Sequence, residues 1–171
     1  VPAEVVHALF YNFFPGEVAR HIPRVWEVTT PEAAFAARDD GCVRALRSVL
    51  GDVATTPGVA RAADLLAQAA MSAPTEGRAM YAALRGLPLP EEPLARLFRA
   101  ATLLREHRGD GHIAALVSHG IGGTESHFLA AIALGMPGAD FGRVHHRPRA
   151  ELARIEEGLR GRGLVDGNGR F

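Results

Sequence analysis

Apolar residues return at the helical period along nearly the whole chain, while the strict alternation of a half-buried strand is scarce. Val5, Val6, Leu9, Phe10 and Phe13 form the first stripe, which Pro15-Gly16 is expected to stop. Thr29-Thr30-Pro31-Glu32 announces a second helix. Threonine accepts backbone N–H bonds at a cap, proline suits the first turn, and an early glutamate suits the positive dipole end. This helix carries Phe35, Cys42, Leu46 and Val49 to about Leu50, where Gly51-Asp52 ends it. Thr56-Pro57 repeats the start signal for a segment reaching Ala70, and Thr75 is expected to cap a short helix bearing Met80, Tyr81 and Leu84. Leu87-Pro88-Leu89-Pro90 must be extended, because proline removes donors and restricts the residue before it. From Pro93, residues Leu94, Leu97, Phe98, Ala101 and Leu104 mark a helix ending near His107. Further helices follow over 110–118 and 124–134.

Composition narrows the class. The 171 residues make one ordinary domain or two small subdomains sharing a core. Nineteen basic residues balance nineteen acidic ones, and 47% hydrophobic with 22% charged residues excludes disorder as the main state. No apolar run approaches the roughly 18 residues a spanning helix needs, so no membrane partner is expected. Every basic residue is arginine and alanine is abundant, which points to a GC-rich bacterial genome. A single cysteine, Cys42, excludes an internal disulfide and fits a reducing cytosol, so a cytoplasmic location is expected. A chain that starts at Val1 without Met and stops at Phe171 in mid-element is expected to be part of something longer.

The last third is organised differently. Met136-Pro137-Gly138 opens a short segment over 139–144. His145-His146-Arg147-Pro148 then leads into a helix with Leu152, Ile155 and Leu159 on one face, ended by Arg160-Gly161-Arg162-Gly163. After Leu164-Val165, the pairs Asp166-Gly167 and Asn168-Gly169 are strong hairpin-turn signals. Short helix, turn, longer helix and hairpin is the order of a winged helix-turn-helix. The expected fold is therefore mainly α: a multi-helix body over 1–135, with a joint at 86–93, and a winged helix-turn-helix with a short β-hairpin wing over 136–171, incomplete at its C-terminal end.

The run from Arg147 to Phe171, R-P-R-A-E-L-A-R-I-E-E-G-L-R-G-R-G-L-V-D-G-N-G-R-F, resembles the recognition helix and wing of MarR-type regulators. With F-Y-N-F-F-P at Phe10 to Pro15 and L-L-R-E-H-R-G-D-G-H-I-A-A-L at Leu103 to Leu116, most of the chain is similar to an uncharacterised, mostly helical family of GC-rich bacteria whose members are labelled helix-turn-helix or MarR-like. The resemblance implies a winged-helix C-terminal unit on an α-helical body, with DNA as partner and a homodimer as the assembly of MarR-type proteins.

Local charge supports a polyanion partner. Residues 143–171 hold seven arginines against four acids, leaving +3 there and −3 elsewhere. The candidate DNA-binding residues are Arg147, Arg149, Arg154, Arg160, Arg162 and Arg170, with Arg147 and Arg154 on the outward helix face, Glu157 beside them and Arg170 on the wing.

Arg105 to His112 is the densest run of chemistry. On one reading, His107 and Arg108 suit a helix C-terminus, Gly109 supplies a left-handed cap and Asp110 caps the next helix. On the other, Arg105, Glu106, His107, Asp110 and His112 gather on a small molecule, or Arg105 and Arg108 converge on an anion. The spacing matches no standard metal pair, and no metal is expected. Tyr11 and Asn12 are candidates to orient an apolar effector in a cavity lined by Phe10, Phe13, Phe14 and Trp26, residues that otherwise read as core. Gly120 to Thr124 reads as an interhelical turn with Thr124 as cap. No nucleophile elbow, phosphate loop, dinucleotide fingerprint or paired-carboxylate motif appears, so no catalytic residue and no cofactor are assigned. The leading expectation is a ligand-responsive, MarR-like DNA-binding regulator. The rival is a helical small-molecule-binding protein or enzyme built on Arg105 to His112, with the winged helix as scaffold only.

Overall fold

The computed structural model describes residues 1–13, 15–138 and 147–167, and every regular element among them is helical. In order these are α1 (Ala3–Phe10), α2 (Pro15–His21), α3 (Pro31–Leu50), α4 (Pro57–Ser72), α5 (Ala79–Arg85), α6 (Pro93–Ser118), α7 (Gly123–Ala133) and α8 (Arg149–Gly161), with single 3-10 turns at Arg24–Glu27 and Gly51–Thr55. The chain packs as two units, one of Val1–Arg24 with Ile113–Phe171 and one of Val25–His112.

In the unit Val25–His112, Val43 of α3, Val59 of α4 and Leu94 of α6 form one buried cluster, and Ala70, Tyr81, Ala100 and Leu103 form another. The start of α3 is as expected: Thr30 Oγ1 accepts the Ala33 N–H at 3.2 Å ahead of Pro31. Glu92, just before α6, accepts the Ala95 N–H at 2.7 Å. Burial alone would raise the Glu92 pKa, but the Ala95 and Leu94 N–H groups and Arg47, 3.2 Å away, outweigh it and hold it low. Between α3 and α6 the buried Arg99 pairs with Asp39, and Arg38 donates to Thr102 Oγ1 at 3.3 Å.

Several expected boundaries are corrected. Helix α6 does not end at His107 but runs unbroken to Ser118, so Gly109 is no left-handed cap and Asp110 starts no new helix. Two interior glycines each cost about 1 kcal/mol relative to alanine. Local packing offsets that cost: Asp110 accepts the Tyr81 N–H at 3.0 Å, and Gly111 leaves its side-chain space to Arg78. Thr75 caps nothing, since α5 starts at Ala79 and Asp110 serves its first turn. Pro15-Gly16 opens α2 rather than closing α1, because proline is accepted where the first-turn N–H has no partner anyway.

In the unit containing both ends of the chain, Phe128 of α7, Leu152 and Leu159 of α8 and Val165 form the core, with Leu129, Ile132, Ile155 and Leu164 packed against it. Helices α6, α7 and α8 end alike. Gly120, Gly135 and Gly163 take φ of 62°, 71° and 69°. The next N–H then reaches back into the helix: Ile121 to Leu116, Met136 to Ala131, and Leu164 to Leu159, at 2.9–3.0 Å. The expected hairpin wing is corrected in part, since there is no strand among the described residues. Leu164 and Val165 leave α8 as a bend and pack into the core, Val165 being 4% exposed. Its outer turn at Asn168-Gly169 lies outside the described residues, as do the short segment expected over 139–144, His145-His146 and Phe14.

Candidate nucleic-acid interface

A helix that reads DNA presents its N-terminal half to the major groove. The first turn of α7 does not qualify, because it is closed by the protein itself. A Cβ on Gly123 would lie 2.1 Å from the Tyr11 carbonyl oxygen, so only glycine fits there. The Gly122 N–H is taken by Glu125 Oε2 at 2.7 Å, and this glutamate box, rather than Thr124, caps the helix.

The opening of α8 is different. Leu152, Ile155 and Leu159 face the core as their spacing requires, leaving Arg149, Ala150, Ala153, Arg154 and Glu157 exposed. Arg149 has no ion pair among the described residues, and Arg154 only donates to its own helix, to the Ala150 carbonyl at 3.3 Å. Arg154 also borders an open groove of about 470 Å³ with Glu125, Glu151, Ile155 and Gly158.

The other candidate arginines are engaged. Arg147 precedes α8, pairs with Glu151 and is largely covered, so its expected outward placement is corrected. Arg160 pairs with Glu156 one turn away at 2.7 Å, and Arg162 reaches Glu125 of α7 at 3.1 Å. An exposed pair such as Arg160–Glu156 contributes only about 0–1 kcal/mol, so a phosphate competes for it easily. Arg162–Glu125 instead fastens the C-terminal end of α8 to the start of α7. Arg170 lies outside the described residues. Within α8 three arginines face three glutamates, so its cationic character is positional: Arg149 and Arg154 project with Glu157 exposed beside them, whereas Glu151 and Glu156 are held by arginines.

The candidate ligand residues divide. Tyr11 donates from its hydroxyl to the Ile121 carbonyl at 2.6 Å, and Asn12 Nδ2 donates to His127 Nε2 at 2.8 Å. Both side chains tie the end of α1 to α7 and its entry loop. Burial, reinforced by Arg147, holds the His127 pKa below the ordinary histidine value, which keeps that nitrogen free to accept. Neither Tyr11 nor Asn12 lines the apolar groove of about 300 Å³ between α1 and α2, which is formed by Val6, Phe13, Glu17, Val18, His21 and Ile22. Phe10 stacks on Phe13 at 4.5 Å, but Phe10 is 36% and Trp26 42% exposed, so neither is core.

Along α6 the Arg105 to His112 run is split by helix geometry. Arg105, Arg108 and His112 are exposed, and Arg105 pairs with Glu106. His107, Asp110 and Gly111 continue the inner stripe of Ala100 and Leu103. The segment therefore does not converge as one set, and among the described residues no cluster of histidine, cysteine and carboxylates fits a metal. Sequence reasoning missed Arg78, which lies against Gly111. A glycine inside a helix was the available signal.

No curated protein and no solved structure matches the chain. Residues 1–171 match the family model described as a helix-turn-helix family, over a chain whose described elements are all helices, so the protein belongs to that helix-turn-helix family.

Proposed function

We propose that the protein is a DNA-binding transcriptional regulator of the MarR-like kind, with α8 as the helix that enters the major groove. Family membership over the full chain carries this reading. The exposed opening of α8, with Arg149 and Arg154 projecting and small residues at Ala150 and Ala153, supports the choice of helix. Arg149 and Arg154 make the first contacts, Arg160 leaves Glu156 for a phosphate, and Arg162 keeps α8 seated on α7. Residues 136–171 form the reading portion, Arg170 adds a phosphate contact, and the protein works in the cytoplasm. A homodimer sets two copies of α8 about one DNA turn, roughly 34 Å, apart, and a small effector shifts that spacing.

A salt titration of duplex binding tests the reading. Each lost phosphate contact lowers the slope of log K against log salt by about one. The R149A/R154A variant should lose about two units of slope and bind at least tenfold more weakly near 100 mM salt. R105A/R108A, altered on the exposed side of α6, should match the unaltered protein. Equal slopes for R149A/R154A and the unaltered protein would remove α8 as the reading helix.

A further inference from the structure

In the unit Val25–His112, three buried donors stand without acceptors around Tyr81: Arg78 Nε, Arg85 Nε and His107 Nε2. Arg85 is partly served, since its Nη2 donates to the Met71 carbonyl at 2.7 Å. Arg78 is not. Its guanidinium lies where Gly111 lacks a side chain, with Nη1 2.6 Å and Nη2 2.9 Å from where a Cβ would stand, and it forms no ion pair or side-chain hydrogen bond among the described residues. The nearby carboxylate, Asp110, accepts the Tyr81 N–H through Oδ2 at 3.0 Å and forms no ion pair with Arg78 among the described residues. His107 stands edge-on to the Tyr81 ring at 5.0 Å, with Nε2 turned inward.

Buried polar groups nearly always have partners, and an orphan marks the place of a water or an ion. A guanidinium offers donors only, and its strongest partner is an oxyanion. His107 and Gly111 are four residues apart on one face of α6, about 6 Å along the axis. A single oxyanion, with hydrogen bonds of about 2.8 Å to each side, bridges that distance. Arg78 and His107 are half-buried as residues, with Arg78 Nε and His107 Nε2 themselves covered, and that burial strengthens each bond.

We propose that Arg78 and His107 bind a small oxyanion, a phosphate or a carboxylate, against the Gly111 turn of α6. The anion accepts from the Arg78 guanidinium and from Nε2–H of His107. Gly111 serves this site: it lets Arg78 lie flat on the backbone of a helix that nevertheless continues, which a methyl group would prevent. The inference is independent of the DNA reading, because it is measured without DNA.

The test is the melting temperature of the full chain at pH 7 in phosphate, acetate and chloride at matched ionic strength. A rise of about 2–4 °C over chloride is expected for phosphate, acetate or both, and the salt that gives it identifies the chemistry of the ligand. R78Q should abolish the rise, and R105Q, on the exposed side of the same helix, should keep it. The His107 ring resonances of the unaltered protein should shift on adding the same anion, a readout that holds even if R78Q does not fold. No rise in either salt with unmoved His107 resonances means that the donors are merely hydrated, and the proposal is overturned. A rise that survives in R78Q, or that R105Q abolishes, also overturns it.

Discussion

Asp110 caps a helix that is 29 residues away in sequence. Its carboxylate receives the third N–H of α5, while the Tyr81 hydroxyl donates to the Ala70 and Ala73 carbonyls where α4 ends. Tyr81 is thereby fixed at both ends with no exposed surface. Removing a buried cap acceptor leaves its donor unpaired, at a cost of about 1–3 kcal/mol. D110A should lower stability by that amount in urea unfolding, whereas D110N, which keeps an acceptor oxygen, should lose well under half as much. The sequence marks Asp110 as a capping residue correctly and assigns it to the wrong helix, because capping preference describes chemistry and not the partner. The same limit applies to Tyr11 and Asn12. Their polar tips were legible as purposeful, but the acceptors at Ile121 and His127 lie more than a hundred residues on.

Among the helices, boundaries set by proline and threonine were legible, as at Pro31 and Pro57, because those residues act on their own backbone. Boundaries set by glycine were ambiguous. Gly109 and Gly120 look alike in sequence, yet only Gly120 takes a positive φ, since Ile121 behind it has a core to enter and Asp110 behind Gly109 has α5 to serve. Gly163 belongs with Gly120: it turns the chain so that Leu164 and Val165 seal the α7–α8 core. A side chain at φ 69° is strained, so G163A should cost about 1 kcal/mol in thermal or urea unfolding. On the proposed reading, the salt slope of DNA binding should stay unchanged in G163A, because no phosphate contact is removed. The apolar pair preceding the hairpin signal goes to the core, not to a ladder.

For the molecule as a whole, pH offers a sensitive probe. Burial, with Arg147 adding repulsion, keeps the His127 pKa below its usual 6.5. The unfolded chain therefore takes up the proton first, so the contribution of His127 is complete above about pH 6.5 and is lost as pH falls through its depressed value. Melting temperatures should drop between pH 6.5 and 5, and H127Q should flatten that part of the decline, since glutamine does not titrate. The mainly helical class was legible at this scale because period is a property of the chain alone. The distribution of charge was not: of the arginines behind a local excess of +3 in sequence, two project among the described residues once Glu151, Glu156 and Glu125 have claimed their partners. Three helices that owe their ends to glycine backbone rather than to particular side chains carry a further consequence. On the proposed reading of α8, target preference is then redrawn by exchanging its outward residues one at a time, with the scaffold holding its lengths.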